Sequence, residues 1–276
     1  MEGAYYLWNE PTLQTELGES DIVAARAVWS MNGAPPFEEG YLPVPERDVE
    51  HVAAELKLTV EQVQQRVGSA RKKLLAVRDH RHVPVDTKII AGWNGLALIA
   101  LSEAAALPDG KRYGAAAREL RDYLVSNLLR KGELQRTPTG GDNAVAAVLE
   151  DYAYLSAGLL RYAAWSKNTA DRITAGKLVR TAWRRFYRPT GWVLTDHSML
   201  PDRPGMVWIE DGALPSPSAW LIATSLQLAK QSGDAVLKRS ALDALARGGH
   251  WVSTQAFNYA SHIPLLTQLP REPEGL

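Results

Sequence analysis

No cysteine occurs among the 276 residues. That excludes disulfides, cysteine-ligated zinc, a CxxC redox pair and a thiol nucleophile. Nor is there a surplus of either charge, because 31 Lys and Arg balance 31 Asp and Glu. A chain without net charge lacks the general pull toward nucleic acid or an anionic membrane that basic proteins have. No apolar stretch reaches the roughly 20 residues that cross a bilayer. The opening Met1-Glu2-Gly3-Ala4-Tyr5-Tyr6 has no basic segment followed by an apolar run, so no signal peptide is read and a cytoplasmic location is expected. GxGxxG after a strand, GxxxxGK, HExxH and a GxSxG elbow are all missing, so no cofactor, no metal and no hydrolase serine are expected. The six histidines, His51, His80, His82, His197, His250 and His262, are scattered without ligand spacing.

What is present is an ordinary globular composition, 46% hydrophobic and 22% charged, in a chain long enough to bury a core. Residues 1–45 read as an irregular N-terminal segment. Ala4 to Trp8 is a short aromatic strand candidate, Asn9 caps a short helix with Pro11 in its first turn, and Ser20 caps a second helix through Trp29. Asn32-Gly33-Ala34-Pro35-Pro36 then breaks the chain. From residue 46 to 265 a helical period dominates. Helices are expected over 46–57, 59–78 (with Thr59 and Gln62 spaced as a capping box), 86–106, 112–130, 146–166, 170–187, 217–231 and 235–247. Residues 266–276 form a tail.

The later helices repeat. Asp86-Thr87-Lys88, Glu150-Asp151-Tyr152 and Asp211-Gly212-Ala213 each lie beside a helix rich in small apolar residues, at intervals of 65 and 60 residues. Each such helix is followed by an amphipathic one bearing Arg and Lys. Two of the pairs end in extended pieces, Gly132 to Gln135 and Gly191 to Thr195. A helix apolar all round is buried and one with a charged face lies outside. Inner and outer helices in hairpins make an all-α fold, an (α/α) toroid with a few short strands. The polar starts of its inner helices then gather on one rim.

Four segments carry a resemblance: Glu2 to Trp8 (EGAYYLW), Arg78 to Gly95 (RDHRHVPVDTKIIAGWNG), Leu149 to Ala153 (LEDYA) and Asp211 to Ser218 (DGALPSPS). Their order and spacing resemble the family of spermatogenesis-associated protein 20 and its bacterial relatives. In that family a thioredoxin-like domain precedes a six-hairpin toroid similar to N-acylglucosamine 2-epimerases and six-hairpin glycosidases. The resemblance implies a toroid that is incomplete here, without the thioredoxin-like domain. Where the family pattern reads PSGNS, this sequence reads Pro215-Ser216-Pro217-Ser218-Ala219.

The expected site follows from these positions. Asp86, Asp151 and Asp211 are the candidate catalytic carboxylates, since glycosidases work with two carboxyl groups at a defined separation. Asp86 alternatively caps the helix after it, and Ser216 before Pro217 reads as a helix cap. Lys88, Trp93, Asn94, Glu150 and Tyr152 are the candidate substrate-binding residues, with the aromatic rings stacking on sugars and the polar groups holding hydroxyls. The leading reading is a carbohydrate-related toroid, isomerase-like, epimerase-like or glycosidase-like. The alternative is a non-enzymatic module or fragment that self-associates or partners a thioredoxin-like domain in trans. A third reading rests on Val52 to Leu75, which resembles a helix-turn-helix of sigma factors. The zero net charge weighs against it, so no nucleic-acid partner is expected.

Overall fold

A computed structural model describes residues 3–83, 85–130, 132–138, 145–196 and 205–269. Glu2, Pro84, His197 and the end of the tail lie outside the described residues. The chain forms two compact units, Met1–Asp86 and Thr87–Leu276.

Among the described residues the first unit has four α-helices, α1 (Glu10–Glu16), α2 (Glu19–Val28), α3 (Val49–Leu56) and α4 (Val60–Asp79). Asn9 caps α1 by accepting from the Thr12 amide at 2.9 Å, with proline in the first turn. Gly18 rather than Ser20 precedes α2. Lys57, in a left-handed conformation, ends α3, and the expected Thr59–Gln62 capping box starts α4. Asp21 fastens α2 to α4. It is nearly buried and accepts from Ser69 at 2.7 Å and Lys73 at 2.9 Å. The core is modest: Trp8, Leu13, Leu17, Met31, Tyr41 and Leu74 anchor one cluster, and Val28, Val52 and Val63 a second. The aromatic strand expected at Ala4 to Trp8 is instead a 3-10 turn over Ala4–Tyr6, and only Trp8 pairs, with Tyr41. Arg81 explains the difference. Its guanidinium binds the carbonyls of Tyr5 and Leu7, both at 2.8 Å, and lies 3.9 Å above the Trp8 ring, which holds this segment in a curl.

The second unit is built of helical hairpins. They are α5 (Ala91–Ala105) with α6 (Lys111–Leu128), α7 (Leu149–Ser166) with α8 (Thr169–Phe186), and α9 (Pro217–Ser232) with α10 (Ala235–Arg247). Two of them close with small antiparallel ribbons. In one, β1 (Leu129–Arg130) pairs with β2 (Glu133–Leu134); in the other, β3 (Tyr187–Arg188) pairs with β4 (Gly191–Trp192). A short α11 (Trp251–Gln255) and 3-10 turns over Ala256–Tyr259 and Ile263–Gln268 follow. The core runs from Leu98 through Leu155 and Leu159 to Leu221 and Leu245. Helix α7 sits at its centre, packed on α5, α8 and α9.

Helix α5 begins at Ala91, not at 86, and Ile90 is its N-terminal flank. Asp86 is therefore not its cap. Residues 85–90 have no regular secondary structure, Ile90 being extended, and the first helical amides find partners elsewhere in the unit. Ala91 donates to the Arg136 carbonyl at 2.9 Å and Gly92 to Asp151 at 2.9 Å. Ser216 does cap α9, accepting from the Ala219 amide with Pro217 at the first helical position.

Candidate functional site

Glycines decide how close α5 and α7 come. A methyl group on Gly92 would lie 3.1 Å from the Asp151 carboxylate. On Gly95 it would lie 2.6 Å from the Leu155 nitrogen, and on Gly158 2.7 Å from the Gly95 carbonyl oxygen. The contacts advance together, 92 with 151, 95 with 155 and 98 with 158, so the helices run parallel and their N-termini share one rim. Tyr154 adds α9 to this rim, because its hydroxyl donates to the Pro215 carbonyl just before α9.

At the start of α7, Asp151 is fully buried. Oδ1 accepts from the Gly92 amide, and Oδ2 accepts from the Val148 amide and from Arg136, both at 3.0 Å. Burial pushes this carboxyl up from the ordinary range, against the pull of the Val148 amide, Arg136 and the Gly92 amide. Its oxygens thus join the first turns of α5 and α7 and the residue-136 segment. They do not face open space. Glu150, one residue earlier, is half-buried and lies 3.8 Å from Arg136. Tyr152 is buried, and its hydroxyl accepts from Arg185 at 2.9 Å. Arg185 also binds Asp196 at 2.6 Å and Glu133 at 3.0 Å. The Tyr154 phenol is pushed up by burial first and then by the charges of Glu150, Asp211 and Asp151. All three carboxylates thus act on one buried phenol.

Asp211 is half-buried and equally occupied. Oδ1 accepts from the Ser216 amide at 2.8 Å and from the Ser261 hydroxyl, and Oδ2 from the Ser261 amide at 2.9 Å. Behind it lies a closed polar cluster. Ser218 Oγ accepts from the Ile209 amide at 3.0 Å and lies 3.0 Å from Ser216 Oγ and 3.1 Å from His262 Nε2. His262 is fully buried and stacked on Trp208 with 4.2 Å between ring centres. Burial pushes it down to about 4, opposed by Asp211. The serine–histidine contact is sealed from solvent and braces the loop before α9.

Trp93 projects from the first turn of α5 with 54% of its surface exposed. Asn94 is half-buried and donates to the Ile90 carbonyl at 3.0 Å, which secures the helix start. Asp86 and Lys88 are exposed, Asp86 closing the first unit and Lys88 lying in the second. The rim of the second unit thus joins Trp93, Asn94, Glu150, Asp151 and Asp211, while Tyr152 lies beneath with Arg185. Sequence reasoning passed over Arg136, Tyr154 and Arg185, and read His262 only as one of the scattered histidines. A buried carboxylate needs a cation, so Asp151 within an apolar run was the signal for an arginine such as Arg136. Among the described residues no three His, Asp or Glu converge as a metal site, and no helix is long and apolar enough to cross a membrane.

No known protein-family description matches the chain. Over 180 residues it is 24% identical to an uncharacterized protein of Caenorhabditis elegans, a match covering 62% of this chain and 25% of that protein. The chain thus spans about a quarter of the length of this curated relative. Among solved structures it is similar to a GH76 alpha-mannanase of Bacteroides thetaiotaomicron, with a TM-score of 0.51 and 11% identity over 78% of this chain and 64% of that one. A looser likeness, with a TM-score of 0.45 and 10% identity, is to the cellobiose 2-epimerase of Bacillus thermoamylovorans, over 88% of this chain and 64% of that one. The mannanase likeness is one of fold. With the inner and outer hairpins described above, it makes the chain all-α and of the (α/α)-toroid class.

Proposed function

We propose that the rim where α5 and α7 begin is a carbohydrate site. The observation that carries this reading is the exposed Trp93 indole on the turn whose Gly92 amide is bound by Asp151, next to the half-buried Glu150. An aromatic face beside a carboxylate suits a sugar ring, apolar on one side and rich in hydroxyls at its edge. In this reading Trp93 stacks, Asn94 and Lys88 hold hydroxyls, and Glu150 is the group that exchanges a proton. Asp151 and Asp211, bonded as they are to backbone amides, act as positioning residues for Glu150 and Tyr154. Tyr152 positions Arg185 in the same way. Asp86, the exposed member of the three candidate aspartates, ends the first unit and is not counted in this site. The mannanase-like fold supports the substrate class by analogy only.

The same commitment of Asp151 and Asp211 to amides favours a second reading, a module that binds carbohydrate or a protein partner without catalysing a reaction. The relation to the spermatogenesis-associated protein 20 family belongs to this proposal. It brings a thioredoxin-like domain in trans, or a second copy of the chain, as the partner.

The test is a thermal-shift screen of the full chain against neutral sugars and sugar phosphates. A ligand at about 100 times its Kd adds about 2.7 kcal/mol to stability. A hit that disappears in Trp93→Ala and weakens in Glu150→Gln supports the site. A cooperative melt that no sugar moves sinks it. A hit that survives both substitutions places the sugar elsewhere.

A further inference from the structure

The first unit contains a cavity of about 570 Å³ lined by residues of that unit alone. One wall is a single face of α4, with Gln64, Val67, Gly68, Arg71, Leu75 and Arg78 recurring at helical spacing. The facing wall is formed by Val28 and Trp29 at the end of α2, by Pro43 and Pro45, and by Val49 of α3. From Gln64 to Arg78 this face runs roughly 21 Å at about 1.5 Å per residue.

Three features point to an occupant. The lining holds two arginines and no acid among the described residues. Arg71 is exposed and enters no ion pair there. Arg78 lies against the rings of Tyr5 and Tyr6 at 5.6 and 5.9 Å, and its Nε is buried with no hydrogen-bond partner. Gly68 stands in the interior of α4, where glycine costs about 1 kcal/mol relative to alanine. Its backbone is not left-handed, and an added methyl group would meet nothing within 4 Å. Neither strain nor crowding in the protein accounts for a glycine there, whereas a molecule lying on the α4 face does.

We propose that this groove binds a free long-chain carboxylate, its hydrocarbon chain laid along α4 over Gly68 and Val67 and its anionic head met by Arg71 and Arg78. A linear hydrocarbon suits the length and the apolar walls. A peptide suits them less. Its backbone N–H and C=O groups need partners, while the α4 backbone is satisfied within its helix and Pro43 and Pro45 have no N–H to give. This site is separate from the proposed carbohydrate rim, and its test reads independently of the sugar screen.

The experiment is isothermal titration of the full chain with dodecanoate below its micelle concentration, with dodecyltrimethylammonium as the cationic counterpart. The expected result is one saturable site for dodecanoate, with binding of the cation weaker by about tenfold or more. Gly68→Leu should abolish binding while the chain still melts cooperatively. Should that variant not fold, Gly68→Ala serves, raising Tm while weakening dodecanoate. Replacing both arginines (Arg71→Gln with Arg78→Gln) should erase the preference for the anion. No saturable heat with dodecanoate, equal binding of the cation, or undiminished binding in the Gly68 variants would overturn the proposal.

Discussion

The two units use the same residue types for opposite ends. In the second unit glycine lets helices touch. Gly95 and Gly158 lie where a side chain would strike the backbone of the neighbouring helix, and the buried carboxylate between those helices is bonded on both oxygens. In the first unit Gly68 faces empty space, and Arg71 and Arg78 face a cavity without acids. Polar and small residues turned on their own unit hold architecture together. The same residues turned outward on an apolar groove are what a ligand would need. The contrast can be broken at several points.

The largest effect is expected at Asp151. Replacing it by alanine leaves Arg136 and the Val148 and Gly92 amides without their shared acceptor. Breaking a buried pair by removing one partner costs about 3–5 kcal/mol. Chemical denaturation of Asp151→Ala should show a loss of that size, and a loss under about 1 kcal/mol would mean that the pair behaves as a surface contact. Gly95→Ala comes next. The new methyl meets the Leu155 nitrogen and the Tyr154 carbonyl carbon, both at 2.6 Å, and backbone cannot swing aside as a side chain can. The expected cost is about 3 kcal/mol, the upper part of the overpacking range, read from the same denaturation curves. A neutral Gly95→Ala would show that α5 and α7 are not in contact there.

His262 tests whether the second unit seals its polar groups. Its folded value of about 4 lies below the ordinary 6.5. A depressed base stabilises the fold above its unfolded value and loses that contribution as pH falls through the folded one. The window is therefore about pH 6.5 down to 4, and the span corresponds to about 3 kcal/mol at 1.36 kcal/mol per unit. Stability measured across that window should fall more steeply in the wild type than in His262→Gln. Parallel curves would mean that His262 is hydrated and titrates normally.

Much of this arrangement is legible in the sequence. Helix α7 could be read from an apolar run, and 13 of its 18 residues are buried, including Asp151. The outer helix α8 shows its one-sided pattern just as openly, with 6 of 18 buried. Caps that act within a few residues, such as Asn9, Thr59 and Ser216, could be read as well. The start of α5 could not, because its cap is Asp151, 59 residues away. Asp86 looked like that cap because a carboxylate just ahead of an apolar run suits a helix start. The role of His262 was hidden for a similar reason. Its stacking on Trp208 and its contact with Ser218 join segments that are remote along the chain.

The smallest expected effect is also the one that separates the two units most sharply. Gly68→Ala relieves the conformational cost of a glycine inside α4 and adds a methyl that meets nothing. Stability should rise by about 0.5–1 kcal/mol, whereas the same substitution at Gly95 should lower it. One change of sign between two helical glycines tests whether the first faces a cavity and the second a neighbouring helix. If Gly68→Ala is destabilising, the α4 face is covered by protein and the groove is closed to an acyl chain. If it stabilises the chain and weakens dodecanoate together, stability and binding are opposed at that position, and the glycine is there for the ligand.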